Sequence, residues 1–135
     1  MIETAEEFVA LRSSQIKDEY DRAAMEEAPV SVWREVISEY PDYRKWVAHN
    51  KTVPLEILEE LCVFSSDVRR FIASKRKLSL KLFELLSNDL DANVRVEIAA
   101  NNKAPRTVLE SLLMDADEDV VSAEKNNLER RGCTR

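Results

Sequence analysis

An all-α chain, folded as an α-solenoid of about four two-helix repeats behind an N-terminal helical cap, is predicted by three observations. Arg44, Arg69 and Arg95 each follow an apolar residue (Tyr43, Val68, Val94) and stand four positions before an alanine (Ala48, Ala73, Ala99), at spacings of 25 and 26 residues. A fixed period of that size marks units that bury their apolar faces only against their neighbours. The 135 residues include one glycine, Gly132, and four prolines, with 44% hydrophobic side chains, which leaves little turn chemistry for strands. Within each period, apolar residues recur at helical spacing as Trp33/Val36, Leu58/Leu61, Phe83/Leu86 and Leu109/Leu112, the stripe that a first helix would turn to the core.

Residues 1–28 are read as the cap. Thr4 and Glu7 form a capping box that opens a short helix through Phe8, Val9 and Leu11. Ser14 can cap a second helix, whose Ile16, Tyr20, Ala23 and Ala24 share one face. The repeats then span 29–53, 54–78, 79–104 and 105–130, followed by a polar tail at 131–135, all within one domain. They open at Pro29, Pro54, Ser79 and Pro105; a proline suits the first turn of a helix because its missing N–H has no partner there anyway. Asp42, Asp67, Asn93 and Asp119 start the second helices, and Tyr43/Val47, Val68/Ile72 and Val94/Ile98 point inward from them. The small Ala48, Ala73 and Ala99 let neighbouring helices approach. Asn50, Asn101 and Asn127 suit left-handed C-terminal caps, with Lys75 in that place in the second repeat. In the last repeat Val121, Glu124 and Lys125 replace the arginine, isoleucine and alanine, as a terminal cap meeting water requires.

The run from Asp89 through Val94, Arg95, Ile98, Ala99, Asn101, Pro105, Val108 and Leu109 to Leu112 resembles the bacterial leucine-rich repeat variant, a relative of HEAT repeats. Its core from Asp89 to Arg95 is also similar to the HEAT signature. The second repeat departs by carrying Val63 where the aspartate belongs. The resemblance covers about residues 29–130 and implies paired short helices wound into a right-handed superhelix. It also implies a protein that binds macromolecules and catalyses nothing. One member of that family carries an iron–sulfur module, but its cysteine cluster is absent here.

Other chemistry is sparse. Cys62 and Cys133 lack metal or redox spacing, so a reduced cytoplasmic setting is expected, with Cys62 as a small core residue. The N-terminus has the acidic residues Glu3, Glu6 and Glu7 where a signal peptide needs a basic start, and no run reaches membrane length. Asp115, Asp117 and Asp119 imitate the start of a calcium loop, but Val120 replaces its glycine and Asn126 its final glutamate. Adjacent carboxylates such as Glu59/Glu60 diverge on a helix, and His49 has no nucleophile or carboxylate at a catalytic spacing. No catalysis, metal or cofactor is expected. Arg44, Arg69 and Arg95 are assigned to holding the turns of adjacent repeats together, and Trp46 and Phe71 to packing at the flank of the core.

Charge is uneven. Residues 1–42 hold 4 basic and 11 acidic side chains, residues 43–106 hold 12 and 8, and residues 107–135 hold 4 and 7, for a net charge of −6. Basic residues concentrate in the turns after the second helices and on those helices' outer faces. Lys45, His49, Lys51, Arg70, Ser74, Arg76, Lys77 and Lys103 therefore form the expected partner-binding strip, for another protein, with an immunity- or antitoxin-type inhibitor as one such role. Nucleic acid is the alternative partner, opposed by acidic flanks that repel phosphates.

Overall fold

The computed structural model describes residues 1–132; of the expected polar tail, residues 133–135, Cys133 among them, lie outside these. The described residues are all-helical, with ten α-helices, one short 3₁₀ turn and no strand. The helices are α1 (Ala5–Ser13), α2 (Lys17–Met25), α3 (Val30–Glu39), α4 (Arg44–His49), α5 (Leu55–Leu61), α6 (Ser66–Ala73), α7 (Leu80–Ser87), α8 (Ala92–Ala100), α9 (Arg106–Ser111) and α10 (Glu118–Arg130); the 3₁₀ turn, Pro41–Tyr43, leads into α4. Each of the four expected repeat windows holds two of these helices. None of the helices is long and apolar enough to cross a membrane. The chain divides into two compact units, Met1–Val68 and Arg69–Arg135.

In the first unit α1 packs on α2 and α3, α3 on α4 and α5, and α2 on α4. First helices thus lie beside first helices and second beside second. Phe8 and Trp33 meet edge to face at 5.2 Å in its centre, both fully buried. In the second unit the same pairing recurs, α7 on α8 and α9 and α8 on α10. All eight residues of the expected first-helix stripe are buried, as are Val47, Val68, Ile72, Val94, Ile98 and the three alanines. Tyr43 is not; it is half-buried, its hydroxyl sharing a hydrogen bond with the Ser13 hydroxyl at 2.5 Å. A phenol keeps its polar end at the margin of a core. Ile16, expected on the buried face of α2, is exposed, and Cys62 is half-buried, its thiol donating to the Leu58 carbonyl.

Helix starts also differ in detail. Thr4 caps α1, its hydroxyl accepting from the Glu7 N–H, while the Glu7 carboxylate reaches back to the Glu3 N–H. Pro29, Pro54 and Pro105 occupy the N-cap itself rather than the first turn, with extended ψ angles of 148°, 157° and 147°. A φ locked near −65° serves that conformation equally well, and each proline carbonyl accepts from the first turn it precedes. Ser79 fills the same place, its hydroxyl accepting from the Leu82 N–H. Ser14 stands two residues before Ile16, the N-cap of α2, and its hydroxyl accepts from the Ile16 N–H.

The asparagines are not left-handed caps. No residue other than Gly132 has positive φ among those described. Asn50, Asn101 and Asn127 are buried instead, and each donates its side-chain amide to two carbonyls of the preceding helix pair. Asn50 reaches Ala23 and Glu26 at 2.8 and 3.0 Å, Asn101 reaches Ala73 and Lys75 at 2.8 and 2.7 Å, and Asn127 reaches Ala99 and Asn101 at 2.8 Å each. The α1–α2 pair therefore offers the next pair the same carbonyls that a repeat does, with Ala23 in the place of Ala73 and Ala99.

The arginines tie neighbouring pairs together at the opposite turns. Arg69 forks onto Asp89 at 2.6 and 3.2 Å, and Arg95 onto Asp115 at 2.8 and 3.2 Å. Arg44 stacks on Phe64 at 3.9 Å and donates to the Ile37 carbonyl. Phe64, not the exposed Val63, thus stands in the aspartate's place, and a cation–π contact replaces an ion pair. The supposed calcium motif is capping chemistry: Asp115 accepts from the Asp117 N–H, and Asp117 caps α10.

Burial pushes the Asp115 carboxyl up, but the Arg95 hydrogen bond, the Asp117 N–H and the Arg95 charge outweigh it and hold the group below its ordinary range. A carboxyl depressed in the folded state adds stability above its unfolded value, and loses it as pH falls through the folded one. Asp115→Asn is therefore expected to lower the melting temperature at neutral pH. The same substitution should flatten its fall below pH ~4, checked by thermal melts across the acid range.

Candidate functional site

The eight strip residues divide between the units. Lys45, His49 and Lys51 belong to the first; Arg70, Ser74, Arg76, Lys77 and Lys103 belong to the second. All are exposed except Lys45, which is half-buried. Its ammonium lies 5.6 Å from the Trp46 ring. The Asp67 carboxyl is held low, first by the Ser65 hydroxyl and in smaller part by the Lys45 charge. Lys45 is therefore turned along the helix surface and does not point straight outward.

In the second unit the turns after α6 and α8 are adjacent because Asn101 grips the Ala73 and Lys75 carbonyls while its own side-chain oxygen accepts from the Lys103 N–H at 2.8 Å. Ser74, Arg76, Glu97, Ala100, Asn101 and Asn102 line a shallow cleft of about 160 Å³ there. Arg70 is tied to Glu97 at 3.6 Å. Arg76, Lys77 and Lys103 take no carboxylate among the described residues, and neither does Lys51 in the first unit. The half-buried arginines of the opposite turns differ: Arg69 and Arg95 are matched one for one with aspartates. Two further cations reach the same rim and were not singled out from the sequence. Arg131 donates to the Asn101 and Asn102 carbonyls at 3.0 and 2.9 Å, and Arg130 to Ala100 at 3.2 Å. The helical reach of α10 beyond Asn127 was the signal for them.

In the first unit, Lys51 donates its backbone N–H to the Ala24 carbonyl, and Thr52 donates both its N–H and its hydroxyl to the Asn50 side-chain oxygen. This holds the turn after α4 against the end of α2. A cleft of about 230 Å³ opens beside it, lined by Arg12, Tyr20, Asp21, Ala23, Ala24, Trp46 and His49. His49 meets Trp46 edge to face at 5.8 Å. Trp46 and Phe71 are both half-buried. No group of three or more potential metal ligands is assembled among the described residues.

No protein-family model, curated protein or solved structure matches this chain.

Proposed function

We propose that the chain is a non-enzymatic α-solenoid of the HEAT-like, leucine-rich-repeat-variant kind that binds an acidic surface of another protein. The observation that carries this reading is the contrast between two sets of cations. Those that hold the fold are paired, whereas Arg76, Lys77 and Lys103 stand exposed and without carboxylates on turns fixed by a buried asparagine. Charges presented on an ordered backbone lose little freedom on docking, so more of their attraction survives as affinity and rate. Inhibition of a toxin-like partner is a role that a small binding domain of this kind serves.

The test is the triple reversal Arg76→Glu, Lys77→Glu and Lys103→Glu. Its melting temperature is expected to stay nearly unchanged, since exposed charges contribute little to stability. Binding to a partner captured from the source cells, identified and purified, is expected to fall by tenfold or more in titration calorimetry. Unchanged binding by the triple variant overturns the reading. So does tight, sequence-indifferent binding of duplex DNA whose log affinity falls by about 0.9 per phosphate with log salt.

A further inference from the structure

Arg12 is the cation whose surroundings call for an explanation. Its guanidinium carbon lies 3.6 Å from the centroid of the Trp46 ring, so one face of the group is covered. Its Nε is buried and makes no hydrogen bond. Among the described residues none accepts a hydrogen bond from its nitrogens, and the two Nη groups, not shut away as Nε is, keep their donors for something else. The cations of α2 are committed: Lys17 pairs with Asp21 at 2.6 Å, and Arg22 lies between Glu26 and Glu7. Arg12 takes no carboxylate among the described residues, although residues 1–42 hold 11 of them. A half-buried guanidinium placed on an indole, with carboxylates close by in sequence but none on it, is a prepared donor.

The space in front of it fits that role. It is lined by Tyr20, Asp21 and the small Ala23 and Ala24 from α2, and by Trp46 and His49 from α4, all within the first unit. The stacked face leaves the planar Nη edge to form two parallel hydrogen bonds, the geometry in which arginine recognises a carboxylate. Stacking on Trp46 already restricts the side chain, so less freedom is lost on binding. The alanines and the indole suit the methylene stem of an acidic side chain or the last residue of a peptide. Charge sets the ligand class. One guanidinium matches one negative charge. The Asp21 carboxylate at the cleft is paired with Lys17 at 2.6 Å, and the remaining acidic charge of α2, Asp18 and Glu19, opposes a phosphate dianion or a nucleic-acid backbone more than a single carboxylate.

We propose that this cleft between α1, α2 and α4 is a carboxylate-binding pocket, in which Arg12, stacked on Trp46, grips an acidic side chain or a chain terminus of a bound protein. The proposal rests on the protein-binding reading and names the chemistry that reading requires at the first unit.

The experiment needs no identified partner. The full chain, labelled with ¹⁵N, is titrated with three short N-acetylated peptides: a glutamate tripeptide amide, the same peptide with glutamine, and a trialanine with a free C-terminal carboxylate. The Trp46 indole N–H is followed, with the fully buried Trp33 as internal control. The glutamate peptide or the free-terminus peptide is expected to shift the Trp46 signal saturably in the millimolar range suited to one charge-assisted pair, leaving Trp33 in place. The glutamine peptide is expected not to. The stronger of the two carboxylate peptides tells side chain from terminus. Arg12→Gln is expected to weaken the response by roughly tenfold or more, and Arg12→Lys to restore little of it, because the charge returns without the planar fork. Equal shifts from the glutamine peptide, no saturable shift from either carboxylate, or an unaltered response in a folded Arg12→Gln protein overturns the pocket. Inorganic phosphate binding as well as the carboxylates does so too. If Arg12→Gln fails to fold, the glutamate-versus-glutamine comparison on the unaltered chain still decides. Failure here leaves the rim of the second unit standing, since that is judged by the triple reversal; failure of the rim leaves the peptide titration standing.

Discussion

Ile98→Ala is expected to destabilise the chain by about 2–5 kcal/mol, read as a shift in urea midpoint with little change in slope. Ile98 sits on α8, fully buried, and α8 packs against α7 on one side and α10 on the other. Removing three carbons there loses contacts on both sides. The cavity cannot close readily. The neighbouring Ala99 is already as small as a side chain with a Cβ can be, and α10 is held in place by Asn127 on the Ala99 and Asn101 carbonyls. A loss under about half a kilocalorie, the range of ordinary surface changes, would mean that α8 presents another face to the core.

Asn101→Leu is expected to cost about 2–4 kcal/mol, even though it adds apolar volume to a buried site. The substitution strands the Ala73 and Lys75 carbonyls and the Lys103 N–H, which Asn101 now satisfies. A buried polar group left without a partner costs on the order of 1–3 kcal/mol. Asn101→Asp separates this cause from packing: the volume is conserved, but a carboxylate has no N–H to give to either carbonyl. An aspartate variant as stable as the parent in chemical denaturation would show that the asparagine acts through shape. Because the same residue fixes the turns that carry Arg76, Lys77 and Lys103, the leucine variant should also speed amide exchange at residues 74–77 and 101–103.

Much of the architecture was legible along the chain. The period of 25 to 26 residues around Arg44, Arg69 and Arg95 located the second helices, and the pairs from Trp33/Val36 to Leu109/Leu112 located the buried face of the first. Both signals are local, because helical spacing and burial repeat together. The role of Arg69 and Arg95 in joining turns was also readable, since an arginine recurring beside a turn aspartate has a ready partner. Less visible was that the α1–α2 pair serves its neighbour as a repeat does. Ala23 stands 25 residues before Ala48, but the arginine and the asparagine of the pattern are missing around it. Arg12 gave no periodic signal at all, and its meeting with Trp46, 34 positions away, depends on how α1, α2 and α4 come together.

The sequence by itself determined the helices, their pairing in windows of about 25 residues, most of the core residues, though not Tyr43, Ile16 or Cys62, and the clustering of basic side chains in particular turns. Each of these follows from spacing and composition, which act over one or two helical turns. Only the tertiary structure decided what the buried asparagines, Arg44 and Arg12 do. Asn50, Asn101 and Asn127 have the sequence context of helix caps, yet they are buried cross-links, because the carbonyls they satisfy lie 24 to 28 residues back along the chain. The same holds for Arg44 on Phe64 and for Arg12 on Trp46. A hydrogen bond or a stacked ring is set by distance and direction in space, and no residue's neighbours in sequence contain that information.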